Sequence, residues 1–383
     1  MSDVAKRSLR FVLIMGVVNL FADMTYEGAR GAVGAFLGHL GASGAMVGII
    51  AGGGELAGYG IRWVSGTIAD RTGLYWIDAW AGYLMNMLCV PALALAGSVP
   101  AAAGLVVGER LGRGVRRPVI SAVIARAGQH IGSGRAFGLN ELLDQIGATA
   151  GPLVVAYAVA RGGFSLGFGV LLVPALLTLA FLVPATAAGR KLAPDNPQAQ
   201  GPALRDQRAF WRYAAGGALL AAGFVDFALI AYRLQRDHVM SAAAISAWFA
   251  AAMAVGGIGS AVLGRMFDRF GGIVVACALL LTALVTPLAF LGYGGFAEAG
   301  AALWGVGTAV QDALLLALVA TVITKRRGAT TFGLYDLIFG GAWFFGSAIA
   351  GVLLDVSIVG LVVFSVILQL AAIPFFIRAP HSV

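Results

Sequence analysis

Charge is scarce in this chain. Of its 383 residues only 11% are Asp, Glu, Lys or Arg, 60% are hydrophobic, and the mean hydropathy is +0.88. Soluble domains carry roughly 25% charged residues, so that class is excluded. Cysteine is scarcer still. Cys89 and Cys277 stand apart in apolar stretches, which rules out a disulfide framework. The four histidines (His39, His130, His238 and His381) are scattered and form no ligand cluster, so no metal site is expected. No phosphate-binding loop and no Ser-His-Asp arrangement is found, which argues against direct ATP drive and against an enzyme. Strict in-out alternation is also missing, so a β-barrel is not expected.

What the chain does have is long apolar runs and 55 glycines. The runs recur near or above the ~20 residues that cross a bilayer, and glycine there lets helices approach closely. Turn signals and charges place spans at roughly 9–36, 41–65, 75–97, 99–126, 135–160 and 164–187, then 209–235, 241–266, 272–294, 296–324, 330–354 and 357–378. The expected fold is an all-α integral membrane protein with twelve transmembrane helices in two pseudo-symmetric six-helix bundles. Residues 1–187 form the first bundle and 209–383 the second. Residues 188–208, which include Arg190, Lys191, Pro194 and Pro197, join them. Lys6 and Arg7 ahead of an apolar run resemble a signal peptide, but no small-residue cleavage site follows before Asp23, so an uncleaved first helix is expected.

The loops on one side hold Lys6, Arg7, Arg10, Arg71, Arg126, Arg135, Arg190, Arg205, Arg265, Arg269, Lys325, Arg326 and Arg378. The opposite loops, such as 37–41 and 97–99, are nearly free of Lys and Arg. The positive-inside rule then puts both termini and the linker in the cytoplasm of a bacterial cell, with the protein in its inner membrane. The net charge of +8 reflects these loops and does not imply nucleic acid.

The two halves echo each other. Phe21-x-Asp23 with Arg30 returns as Phe224-x-Asp226 with Arg233, at a constant offset of 203 residues. An Asp or Arg in the middle of a membrane helix costs about 2.5–3.5 kcal/mol to insert, so matched pairs imply a polar interior of the kind a transporter needs. Asp23, Glu27 and Arg30 share one helical face at i, i+4 and i+7, and Asp23 lies ~20 Å along the helix from Arg10, near mid-membrane. Glu55 stands at comparable depth on span 2. Span 4 carries Glu109, Arg110, Arg113, Arg116 and Arg117, with Glu109 and Arg110 near the bilayer middle. Span 5 offers Asn140, Glu141, Asp144 and Gln145 as counter-charges to that row. Gln311 and Asp312 form a polar pair on span 10, and Asp336 repeats Glu141 at an offset of 195. Burial and a neighbouring guanidinium act in opposite senses on a carboxylate, a competition suited to binding and releasing a proton. The alternative is that these groups are permanent structural bridges.

A second repeat is local. Gly66-x-x-x-Asp70-Arg71-x-Gly73 recurs as Gly264-x-x-x-Asp268-Arg269-x-Gly271, at an offset of 198. A plain charged turn accounts for one copy but not for two. This sequence resembles the signature loop of the Major Facilitator Superfamily, although Leu74 and Tyr75 stand where two further basic residues are usual. The resemblance implies the superfamily's fold, and a latch in which Asp70 faces the start of span 5 or span 11. Arg110-x-x-Arg113-Gly114 is similar to an element of the family's drug–proton antiporters, with Arg113 replacing Gln. Gly147-x-x-x-Gly151-Pro152 resembles part of an exporter motif, and is equally ordinary packing chemistry.

From Phe21 through Gly151 the chain looks most like bacterial efflux permeases, drug–proton antiporter-like in type. The resemblance implies a monomer that moves a small organic solute outward by alternating access. It would need no cofactor and would be driven by a proton or other ion gradient. Uptake of an anionic solute or chelate, held by Arg30, Arg110, Arg113 and Arg233, is the second expectation. A non-transporting membrane sensor is the alternative from another class, and it would leave Asp23 and Asp226 dispensable.

Overall fold

Side-chain caps set where several helices begin. Ser43, Asp206, Asp226, Ser241 and Ser357 each accept a hydrogen bond from a backbone N–H two or three residues on, filling the donors that a helix start leaves open. The computed structural model describes residues 3–190, 206–293, 295–315, 318–319 and 328–377. Residues 191–205 of the expected linker lie outside the described residues, as do Lys325, Arg326, Arg327 and Arg378.

The first half comprises α1 (Asp3–His39), α2 (Gly44–Thr72), α3 (Tyr75–Ala92), α4 (Val99–Ile131), α5 (Ser133–Gly169) and α6 (Leu172–Arg190). A short 3-10 turn, Leu93–Leu95, follows α3, and α5 is kinked at Gly162 and Gly163. In the second half, span 7 is two helices, α7 (Gln207–Gly223) and α8 (Phe227–Arg236). Next come α9 (Ala242–Phe270), α10 (Gly272–Ala283) and α11 (Val285–Leu291). Then come α12 (Gly295–Ala309), which runs into a π-helical turn over Val310–Leu315, α13 (Gly328–Val356) and α14 (Ile358–Phe376). Among the described residues every regular element is helical.

Eight stretches among the described residues are long and apolar enough to cross a bilayer. One of them, Gly138–Arg190, runs through the kink and covers two expected spans. α2 and α4 fall outside that set, and they carry Glu55 and the arginine row. The exterior is apolar, with Leu13, Ile77, Leu88, Val173, Phe296 and Ile367 exposed, while charged groups sit inside. That inversion of a soluble protein is what a lipid solvent selects.

Within the first half α1 packs on α5 and α6, and α4 packs on α2 and α3. The second half pairs α9 with α12, α14 with α7, and α13 with α7. The halves meet where α2 lies along α13, α5 along α9, and α1 along α8. At the end opposite the start of α1, here the far end, Asp355 of α13 closes this interface. Its two carboxylate oxygens accept from the Gly44 and Ala45 N–H groups at the start of α2, each at 2.8 Å, and Arg236 approaches within 3.7 Å. A carboxylate at a helix N-terminus is favoured by both hydrogen bonding and the helix dipole. Asp355→Ala should therefore cost about 0.5–2 kcal/mol. The expected result is a lower melting temperature and a longer spin-label distance across the far end; unchanged values would show that the apolar interface alone closes it.

Candidate functional site

The charged residues of α1, α2 and α4 converge at mid-length into one ionic network. Glu55 is its centre. Arg113 Nη2 donates to both Glu55 carboxylate oxygens at 3.1 Å, Arg110 Nε lies 3.3 Å from Oε1, and Arg30 Nη2 lies 3.6 Å from the same oxygen. Arg30 also pairs with Glu27 at 3.4 Å, and Arg110 with Glu109 at 3.3 Å. Asp23 pairs with Arg116 at 3.9 Å. Four guanidiniums (Arg30, Arg110, Arg113 and Arg116) thus face four carboxylates (Asp23, Glu27, Glu55 and Glu109). Every one of these side chains is at most 13% exposed. Matched charge is what allows so many ions in a low-dielectric interior.

Polar and aromatic groups fix the arginines. Arg113 stands over the Tyr26 ring at 5.2 Å, and Arg116 over Tyr83 at 4.6 Å. Asn86 donates to Glu109 at 2.9 Å. A relay runs from the Tyr83 hydroxyl to Asn19 at 2.6 Å, from Asn19 to Asn140 at 2.8 Å, and from Asn140 to Asp144 at 2.9 Å. It ties α3, α1 and α5 together. Asn19 and Tyr83 were not expected site residues; only their burial in the fold identifies them.

Among the described ion pairs, Arg110 and Arg113 of span 4 face span 2 and Glu109 of their own helix rather than the span 5 counter-charges the sequence suggested. The described partners of Arg110 and Arg113 are Glu55 and Glu109, whereas Asp144 accepts from Asn140 and Glu141 accepts from Gln145 at 3.0 Å. The reason is packing: α4 lies along α2, bringing Glu55 to the arginines. The Gly147-x-x-x-Gly151 run lies against the backbone of Leu20 and Met24 on α1, so it has a packing role.

The second half does not copy the first. Span 7 breaks at Phe224–Asp226, and Asp226 caps α8: its Oδ1 accepts from the Ala228 N–H at 2.9 Å and its Oδ2 from Trp343 Nε1 at 3.3 Å. Around it stack Phe224, Phe227, Phe249, Trp304 and Trp343. Arg233, the repeat of Arg30, is buried near the far end and pairs with Asp237 at 3.4 Å. Arg30 instead crosses the interface to stand 5.5 Å from the centre of the Trp304 ring. Asp336 pairs with Arg62 of α2 at 3.6 Å, an ionic link between the halves. Gln311 lies in the π-helical turn with its side-chain nitrogen buried and unbonded; the Asp312 side chain lies outside the described residues.

A cavity lined by the first half and closed by Asp226 and Ala228 of the second borders this network. Tyr26, Arg30, Glu109, Arg110 and Asp226 supply polar groups to it, and Val33, Leu37, Ile50 and Val106 supply apolar walls. Of the two signature loops, Gly73 and Gly271 end α2 and α9 with φ of 70° and 62°, a conformation other residues rarely adopt. Gly66 faces Pro118 of α4, Gly264 faces open space, and Arg269 covers the ring of Phe270. The side chains of Asp70, Arg71 and Asp268 lie outside the described residues.

A membrane bundle whose two halves enclose a cavity edged by buried charge is the architecture of a solute transporter. The sequence pattern of the Major Facilitator Superfamily matches residues 14–347. The chain belongs to that superfamily; it is an integral membrane transporter of the secondary class, not an enzyme, and its substrate is a small molecule. Uncharacterized proteins of Mycobacterium tuberculosis and Mycobacterium bovis are each 36% identical to it, across 97% of this chain and 94% of their own length. Among solved structures, the nucleoside transporter NupG is 14% identical with a TM-score of 0.72, covering 96% of this chain and 99% of NupG. The peptide transporter POT in complex with sulfate is 16% identical with a TM-score of 0.74, covering 98% of this chain and 96% of POT. At these identities the likeness to solved structures speaks for the fold.

Proposed function

We propose that this chain is a proton-coupled antiporter that exports a small organic compound across the bacterial inner membrane by alternating access. In this reading residues 1–187 and 209–383 rock against each other as a monomer, with both termini and the linker in the cytoplasm. The observation that carries it is the balanced set of eight buried charges beside a cavity that the second half closes. Such charges are expensive in a membrane and are retained where ions or solutes pass. The direction rests on the resemblance of spans 4 and 5 to exporters.

Asp23 is the proposed proton carrier, because its described ion pair, with Arg116, is long at 3.9 Å while Glu55 has three guanidinium partners. In proteoliposomes loaded with a pH dye, compounds from a screening panel should drive proton movement through the wild type. Asp23→Asn should fold and insert but lose at least tenfold of that movement. Undiminished proton-linked flux in Asp23→Asn would remove Asp23 from the mechanism, and compound flux indifferent to the pH gradient would remove proton coupling.

The second reading is import of an anionic solute. It is favoured by one specific feature, the convergence of Arg30, Arg110 and Arg113 on a single carboxylate.

A further inference from the structure

Three guanidiniums from two helices around one acidic oxygen is the geometry of an anion site, and here the anion is the protein's own. Glu55 Oε1 has Arg113 at 3.1 Å, Arg110 at 3.3 Å and Arg30 at 3.6 Å. Arg30 and Arg110 also border the cavity; Arg30 keeps its buried Nε without a hydrogen-bond partner, while Arg110 Nε and Nη1 are held by ion pairs at 3.3 Å to Glu55 and Glu109. We propose that Glu55 is a tethered occupant of an anion-binding cage, and that the substrate is a monoanion with an apolar body that replaces it there. This deepens the anionic reading above and rests on it.

Charge balance makes the two occupants exclusive. With Glu55 in place the four guanidiniums are already matched by four carboxylates. A ligand anion added to that set would leave an uncompensated negative charge in a low-dielectric interior. Once Glu55 is withdrawn or neutralised, one carboxylate or sulfonate restores the balance, and guanidiniums hold such groups with paired N–H donors. Both acidic groups on the cavity wall are engaged, Glu109 by Arg110 at 3.3 Å. Asp226, the acidic group on the opposite wall, already accepts from the Ala228 N–H and Trp343 Nε1. The cavity's free volume is about 30 Å³, the room of one or two waters. The apolar body therefore enters along Val33, Ile50 and Val106 only as the halves part, with the Trp304 ring beyond Arg30.

The test uses benzenesulfonate, which stays anionic across the working pH range, and neutral benzamide as its control. Both are titrated calorimetrically into the full-length protein in lipid nanodiscs. Glu55→Gln should bind benzenesulfonate at least tenfold more tightly than wild type, with benzamide unchanged; tenfold corresponds to about 1.4 kcal/mol. Adding Arg110→Gln to Glu55→Gln should abolish the gain. Should Glu55→Gln fail to fold, Glu55→Asp retains the charge but shortens the tether, and a threefold or greater gain is expected. A folded Glu55→Gln, or failing that Glu55→Asp, with wild-type affinity for benzenesulfonate overturns the cage. Proton-linked flux of the wild type in proteoliposomes is read separately. A tighter Glu55→Gln beside a wild type that moves no solute would keep the cage and reject the transport mechanism.

Discussion

Arg113→Gln alone should destabilise the folded protein by about 3–5 kcal/mol, because it strips buried Glu55 of its shortest ion pair and Glu109 of a second one. In detergent this should appear as a melting temperature lowered by many degrees and a loss of monodisperse protein. The same change made together with Glu55→Gln should recover most of the loss. The pair leaves Arg30, Arg110 and Arg116 against Asp23, Glu27 and Glu109, so buried charge is balanced again. Arg113→Gln combined with Asp144→Asn should recover little, since Asp144 accepts from Asn140 and has no described ion pair with Arg113. Rescue by the Asp144 change rather than the Glu55 change would refute the pairing. Transport then separates pathway from scaffold: the stable Arg113→Gln/Glu55→Gln protein should move no solute if the network is the route, and should transport normally if it is only a bridge.

That Arg113 faces Glu55 was not legible in the sequence, although each residue's depth was. Helical periodicity places Asp23, Glu27 and Arg30 on one face, and counting residues gives their height in the membrane. Neither says which neighbouring helix supplies the partner. α4 could have met α5 or α2, and only the packing of α4 along α2 decides.

Eight membrane-crossing stretches were legible because their apolar runs, cut by turn signals and charges, mark them locally. The break in span 7 had a readable signal: Asp226 is followed by a new run, Phe227-Ala228-Leu229, and its side chain caps that run. Matching Asp226 to Asp23 by repeat masked it. A repeated motif preserves position in the bundle, not local backbone, so α1 runs straight through Asp23 while the second copy opens at Asp226. Asp355 was beyond reach for another reason. Its partners, the Gly44 and Ala45 N–H groups, are 311 and 310 residues away and belong to the other half.

Two glycines on α1 and α5 should respond very differently to the same substitution, and the contrast tests whether the halves move as units. A side chain at Gly151 would collide with the backbone of Met24, inside the first half, where α5 and α1 pack together. A side chain at Gly34 would collide with the backbone of Ala228 on α8, across the interface. Gly151→Val has no relaxed alternative, so the folded yield should collapse, as overpacking against backbone costs about 1–3 kcal/mol or more. For Gly34→Val rocking of the halves offers an escape: they part at the far end, at the expense of the buried apolar cluster that Ala32, Ala35 and Leu37 share with Leu229 and Ile230. A clash of about 2–3 kcal/mol should then shift the ratio of far-end-closed to far-end-open molecules by about 30- to 150-fold. Spin labels at His39→Cys on α1 and Met240→Cys beyond α8, in a Cys89→Ala/Cys277→Ala background, read that gap. Gly34→Val should lengthen the distance and abolish transport while the melting temperature stays within a few degrees. If Gly34→Val unfolds the protein as Gly151→Val does, the α1–α8 contact is part of one continuous core and rigid-body rocking about it is wrong.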